Sequence, residues 1–124
     1  MPTIDAVLVL TTLPASADVA AFARALVESH LAACVSALPV MDSIYRWKEA
    51  IEHDTERQLL IKTRAALVDR LFACIRSLHP YEVPELLVVG VTGGGASYLD
   101  WLCEATAIDA TSEEPSSDRT PEPS

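Results

Sequence analysis

Along residues 4–106 the apolar side chains change spacing in a fixed order, and that order leaves few folds open. IDAVLVLTT is short, β-branched and closed by Leu13-Pro14, which reads as a buried strand. Val19, Phe22, Ala23, Leu26 and His30 then recur at helical spacing, with Ser16 placed to cap the helix and Asp18 in its first turn. AACVSALPVMDSIYRWK returns to strand composition, but Pro39 interrupts it, so a long bent strand at an edge or bulge is expected. KEAIEHD reads as a polar turn and TERQLLIKT as the partner strand, together an extended hairpin. Thr63 is placed to cap a second helix whose stripe is Leu67, Leu71, Cys74, Ile75 and Leu78. ELLVVGV reads as a buried strand. After the connection TGGGAS, Ser97 is placed to cap a last helix carrying Tyr98, Trp101, Leu102 and Ala105.

The order β-α-β-β-α-β, then α, predicts an α+β fold of ferredoxin-like type: an antiparallel sheet with two helices on one face, plus a C-terminal helix. The other face, and a hairpin bearing Ile44, Tyr45 and Trp47, is too apolar to stand in water. A cyclic homo-oligomer, with hairpins extending neighbouring sheets, covers both.

A length of 124 residues fits one folded unit, set at residues 1–107. Residues 108–124 are rich in Ser, Pro and Glu without an apolar anchor and are expected to form a disordered acidic tail. The formal charge of −9 argues against nucleic acid as a partner, even after the final sixteen residues, with five acids and one arginine, remove −4 of it. No apolar run reaches the roughly 18 residues of a membrane span, and the N-terminus lacks a basic, cleavable leader, so a cytoplasmic protein is expected. Cys34, Cys74 and Cys103 are dispersed, as free thiols in a reducing compartment are. No Cys-x-x-Cys pair suggests a closed zinc site.

The densest chemistry lies in LHPYEVPELL, residues 78–87. Pro80 disfavours helix at His79 and ends the second helix, while Pro84 stops early strand pairing. Tyr81 and Glu82 are therefore carried on a pre-ordered connector at low entropic cost. On composition alone the segment also suits a rigid connector whose side chains merely pack.

HPYEVPE following IKTR and LAACV…SIYRW, with YLDWL near the end, resembles the divalent-cation tolerance (CutA) family over residues 4–106. The resemblance implies a ferredoxin-like protomer in a tight homotrimer similar to nitrogen-regulatory PII proteins. It also implies a non-enzymatic role in tolerance of, or response to, copper or another divalent cation, with PII-like signalling. His79 matches the histidine that opens the family signature and is the metal-ligand candidate. The copper-binding bacterial members carry a second histidine where this chain has Leu78, and a cysteine where it has Thr11. Many members have glycine where Glu49 follows Lys48, so a hairpin turn with positive φ would be strained here.

A cleft between protomers, lined by Trp47, Lys62, Tyr81, Glu82, Tyr98 and His79, is the expected ligand site. Lys62 would hold a small anionic ligand or pair with Glu82, and the aromatics would supply a wall. Two other readings compete. One is a scaffold trimer presenting its surfaces or its tail to protein partners. The other is a small enzyme using His79, Tyr81 and Glu82 for acid–base work; GGG at 93–95 lacks the lysine and spacing of a phosphate loop.

Overall fold

A computed structural model of the chain describes residues 5–107; residues 1–4 and the expected tail at 108–124 lie outside the described residues. The elements follow the predicted order. They are β1 (Ala6–Pro14), α1 (Val19–Glu28), β2 (Cys34–Ala37), β3 (Met41–Trp47), β4 (Ala50–Arg64), α2 (Val68–Leu78), β5 (Leu87–Gly90) and α3 (Ala96–Ala105). The sheet is antiparallel in every pairing, with order β2-β4-β1-β5 and β3 on the outer half of β4.

β4 organises the molecule. Its C-terminal half pairs with β1 on one side and β2 on the other, while its N-terminal half runs out of the sheet paired with β3. Residues 38–40, with Pro39 at their centre, separate β2 from β3, so the expected bend is where the missing N–H requires it. Alternation then sorts the side chains. Val9, Leu13, Leu59 and Ile61 lie on one face beneath Val19, Phe22 and Leu26 of α1 and Leu71 and Ile75 of α2, forming the main core. α3 crosses the opposite face at one end, where Leu102 packs with Ala6 and Ala33. Arg64 holds the end of α3 by donating to Thr106 Oγ1 at 2.8 Å and to Thr106 O at 2.7 Å.

Several local expectations are corrected. The hairpin turn is not KEAIEHD but the two residues Lys48 and Glu49; β4 begins at Ala50 and carries the polar residues as strand. Both turn residues are left-handed, with φ of 51° and 69°, as a two-residue hairpin loop of matching twist requires. Neither is glycine, so the strain foreseen from Glu49 is real and doubled, on the order of 1–2 kcal/mol per residue. Asp18, not Ser16, caps α1, accepting from Ala21 N–H at 3.0 Å. Thr63 is a buried β4 residue that donates to Leu31 O at 2.7 Å, and α2 starts instead from a 3₁₀ turn, Ala65–Leu67. Gly95 rather than Ser97 stands at the cap of α3. Leu78 is exposed rather than part of the buried stripe. His30 lies one residue past the α1 cap at φ 64°, and its Nδ1 meets Ala105 O at 3.2 Å, tying α1 to α3.

The strand after the connector departs most from expectation. β5 pairs only with β1, so it is an edge strand, and all four of its residues are exposed rather than buried. Ile44, Tyr45 and Trp47 are exposed on the hairpin, as the sequence predicts.

Candidate functional site

Pro80 does end α2: His79 leaves the helix at φ −83°, ψ 137°, the extended conformation a residue before proline prefers. The turn carries the imidazole into the core edge, where it stacks edge-on against Phe22 with ring centroids 6.1 Å apart. Its Nε2 lies 2.6 Å from Thr12 O, and its Nδ1 accepts from Tyr81 N–H at 3.1 Å. A carbonyl only accepts and an N–H only donates, so the neutral Nε2–H tautomer satisfies both contacts. His79 thus bolts the start of the connector to β1. Gln58 does the same at the other end, donating to Thr11 O at 2.9 Å and to Glu85 Oε2 at 2.8 Å.

Between these ties the connector faces one side of the hairpin across a concave space of about 600 Å³. Thr12 of β1, Tyr45 and Trp47 of β3, Glu56 of β4 and connector residues 80–85 line it. The register explains the grouping: β1 pairs Pro14 with Glu56 and Thr12 with Gln58, while β3 pairs Met41 with Glu56. Tyr45, Trp47 and Glu56 therefore share one face of the ribbon. Glu56 is buried, and its Oε2 accepts from Tyr81 Oη at 2.7 Å and from Thr12 Oγ1 at 3.4 Å.

Both phenols at this site are held in their neutral form. The hydrogen bond Tyr45 donates to Asp54, then desolvation and the charges of Asp54, Glu52 and Glu56, push its pKa up to about 12. Desolvation first, then the hydrogen bond to Glu56 and the neighbouring acidic charges, raises Tyr81 as well. Unfolded tyrosines ionise near about 10. The stability these phenols contribute is therefore complete below pH 10 and lost as pH rises through about 12. Urea midpoints measured from pH 9 upward should fall over that window, and Tyr45→Phe with Tyr81→Phe should flatten the fall.

The residues expected to share one cleft separate within the protomer. Trp47, Tyr81 and Glu82 line the concavity. Lys62 does not; it pairs with Leu8 and Cys34 in mid-sheet, its Nζ 6.0 Å from the ring centre of Tyr98 on α3. Lys62 forms no ion pair with Glu82 among the described residues. His79 lies behind the concavity with both ring nitrogens engaged, where the sequence predicts an available ligand. Thr12, Tyr45, Glu56, Gln58 and Glu85 are absent from the sequence-based site. Strand register gathers the first four, with Thr12 and Glu56 standing 44 positions apart in the chain, and Glu85 joins them from the connector through Gln58.

The fit to a divalent metal fails among the described residues. No group of three or more His, Cys, Asp or Glu side chains converges on one point, as coordination at about 2–2.6 Å demands. Thr11, at the position of the expected cysteine, is fully buried on the core face of β1 with Val9 and Leu13. The free thiol of Cys74 packs against the main core, and burial raises its pKa.

A family model described as "CutA1 divalent ion tolerance protein" matches residues 7–105. The divalent-cation tolerance protein CutA of Thermus thermophilus is 43% identical over 98 residues, covering 79% of this chain and 95% of that protein. The crystal structure of CutA1 from Oryza sativa superposes with a TM-score of 0.81 at 34% identity, over 86% of this chain and 98% of that one. The solved structure of the divalent cation tolerance protein from Thermus thermophilus gives a TM-score of 0.79 at 41% identity, over 82% and 99% of the two chains.

Proposed function

Since this chain belongs to the CutA1 divalent ion tolerance family, we propose that it is a non-enzymatic, homotrimeric protein of divalent-metal response, with its ligand cleft where the connector meets the hairpin. The observation that carries the reading is what one protomer leaves uncovered. Ile44 and Ile51 on the hairpin are 70% and 62% exposed, and Leu87 on the free edge of β5 is 54% exposed. A lone chain would present two unpaired edges and an apolar ribbon to water, which soluble proteins avoid. A closed ring, in which each hairpin lies along the next protomer's edge, covers both without leaving a free end. In such a ring the Lys62–Tyr98 pair of one subunit and the Tyr81 concavity of another would border the same inter-subunit space.

The non-catalytic reading is supported by the state of the three candidate acid–base groups. His79 spends both nitrogens on backbone, Tyr81 is biased toward its neutral form, and Glu82 stands exposed on the connector. Metal response here works through recognition of a ligand rather than through a preformed copper cage centred on His79. Copper or another divalent cation would bind a single protomer only weakly. Three free cysteines suit a reducing, cytoplasmic setting, and no helix among the described residues is long and apolar enough to cross a membrane.

Light scattering at micromolar concentration should return three times the 13.4 kDa chain mass; a stable, folded 13.4 kDa species would overturn the assembly. Calorimetric titration with copper and zinc should give matching weak isotherms for the wild type and His79→Gln, whose amide can still donate to Thr12 O. Tight stoichiometric binding lost in His79→Gln would restore the direct copper site.

A further inference from the structure

Two opposite charges stand on the outer face of β4, and neither finds an ionic partner within one protomer. Glu56 is only 6% exposed, and its hydrogen bonds come from the uncharged hydroxyls of Tyr81 and Thr12. Lys62 lies six residues further along the same face, its Nζ 6.0 Å from the ring centre of Tyr98. It forms no ion pair among the described residues. At about 3.3 Å per residue the two groups are ~20 Å apart, too far to meet inside one chain. Each has given up part of its hydration, and each is stabilised when the opposite charge is brought to it.

The surface between them is apolar. Leu8 lies opposite Lys62 and Leu10 opposite Leu60 on that face, and β5 adds Leu87 and Val89, which are 54% and 46% exposed. α3 covers only the end near Ala6 and Ala33. A second copy laid across the face buries these side chains together. In a closed ring the contact runs head to tail, so one end of the face meets the other end of the next subunit's. The end bearing Lys62 then meets the end bearing Glu56. The carboxylate is open to that approach. Among the described residues only Thr11 Oγ1 is sealed without a partner, so Glu56 Oε1, which takes no hydrogen bond, reaches the surface.

We propose that Lys62 of each protomer forms an ion pair with the partner subunit's Glu56, one such pair at every contact of the ring. This rests on the reading that the chain is a trimer. It gives Lys62 a buried protein carboxylate in place of the anionic ligand, or of Glu82, expected from the sequence. Because Tyr81 and Thr12 donate to the same carboxylate, the pair also fastens the connector to the neighbouring subunit.

Subunit exchange between isotope-labelled and unlabelled protein, followed by native mass spectrometry, measures how firmly the contacts hold. Glu56→Gln keeps an acceptor for Tyr81 and Thr12, and Lys62→Met keeps the aliphatic stem beside Tyr98. Each leaves the opposite charge unpaired in the contact and should speed exchange about tenfold or more. The double variant leaves neither charge behind and should exchange more slowly than either single one. Lys62→Arg, which keeps the charge, should exchange more slowly than Lys62→Met, and circular dichroism checks that every variant folds. Multiplied effects in the double variant, equal rates for Lys62→Arg and Lys62→Met, or coupling of Lys62→Met to Glu82→Gln instead would overturn the proposal. Any of these in a wild-type trimer removes this inference alone; a wild-type monomer removes the reading beneath it.

Discussion

Replacing His79 with alanine is expected to destabilise the fold by about 3–5 kcal/mol, the sum of a cavity and two orphaned backbone groups. The imidazole fills space against Phe22 and Tyr81, with ring centroids 6.1 and 4.9 Å away. Its removal leaves Thr12 O without its donor and Tyr81 N–H without its acceptor. Each buried group left unpaired costs about 1–3 kcal/mol. His79→Gln should recover part of the loss, because its amide nitrogen can still donate to Thr12 O. Urea unfolding at one fixed protein concentration measures both variants, the concentration being held because assembly contributes by mass action. A loss under about 1 kcal/mol for His79→Ala would mean that the connector does not depend on this tie. Since the same tie orders Tyr81, the variant should also lose contact between Tyr81 and Glu56.

Thr11→Val should act in the opposite direction, raising stability by about 1–3 kcal/mol. Thr11 Oγ1 is buried with no hydrogen-bond partner among the described residues, and its neighbours on that face are Val9 and Leu13. Exchanging Thr for Val is usually unfavourable because a satisfied hydroxyl is lost. Here the hydroxyl has no partner to lose, and a methyl of similar size adds contact in an apolar site. Denaturant midpoints in wild type and variant decide it; a destabilised variant would show that the hydroxyl is satisfied after all.

The two substitutions mark how much of the site is legible in the sequence. Pro80 and Pro84 announce a rigid connector, and Tyr81 and Glu82 do line the concavity it borders. His79 is legible as important but not as a backbone tie, because that role depends on Thr12 O from a strand 67 positions away. Lys62 shares with Glu56 the face of β4 turned away from the main core, but it lies six residues further along the strand, at the end covered by α3, and that placement follows from the pairing with Leu8 and Cys34. The hairpin turn escapes sequence reading because a two-stranded ribbon running beyond the sheet is wet on both faces. Its residues 50–55 consequently show no apolar alternation to betray a strand.

Periodicity and proline placement alone determined the order of elements, the break at Pro39 and the stop at Pro80, since these follow from backbone geometry acting over a few neighbouring residues. Tertiary structure alone decided that β5 is an exposed edge, that His79 is spent on backbone, and that Glu56 is buried against Thr12 and Tyr81. Those outcomes depend on register between strands far apart in the chain, and a slip of one residue would turn each of these side chains to the other face.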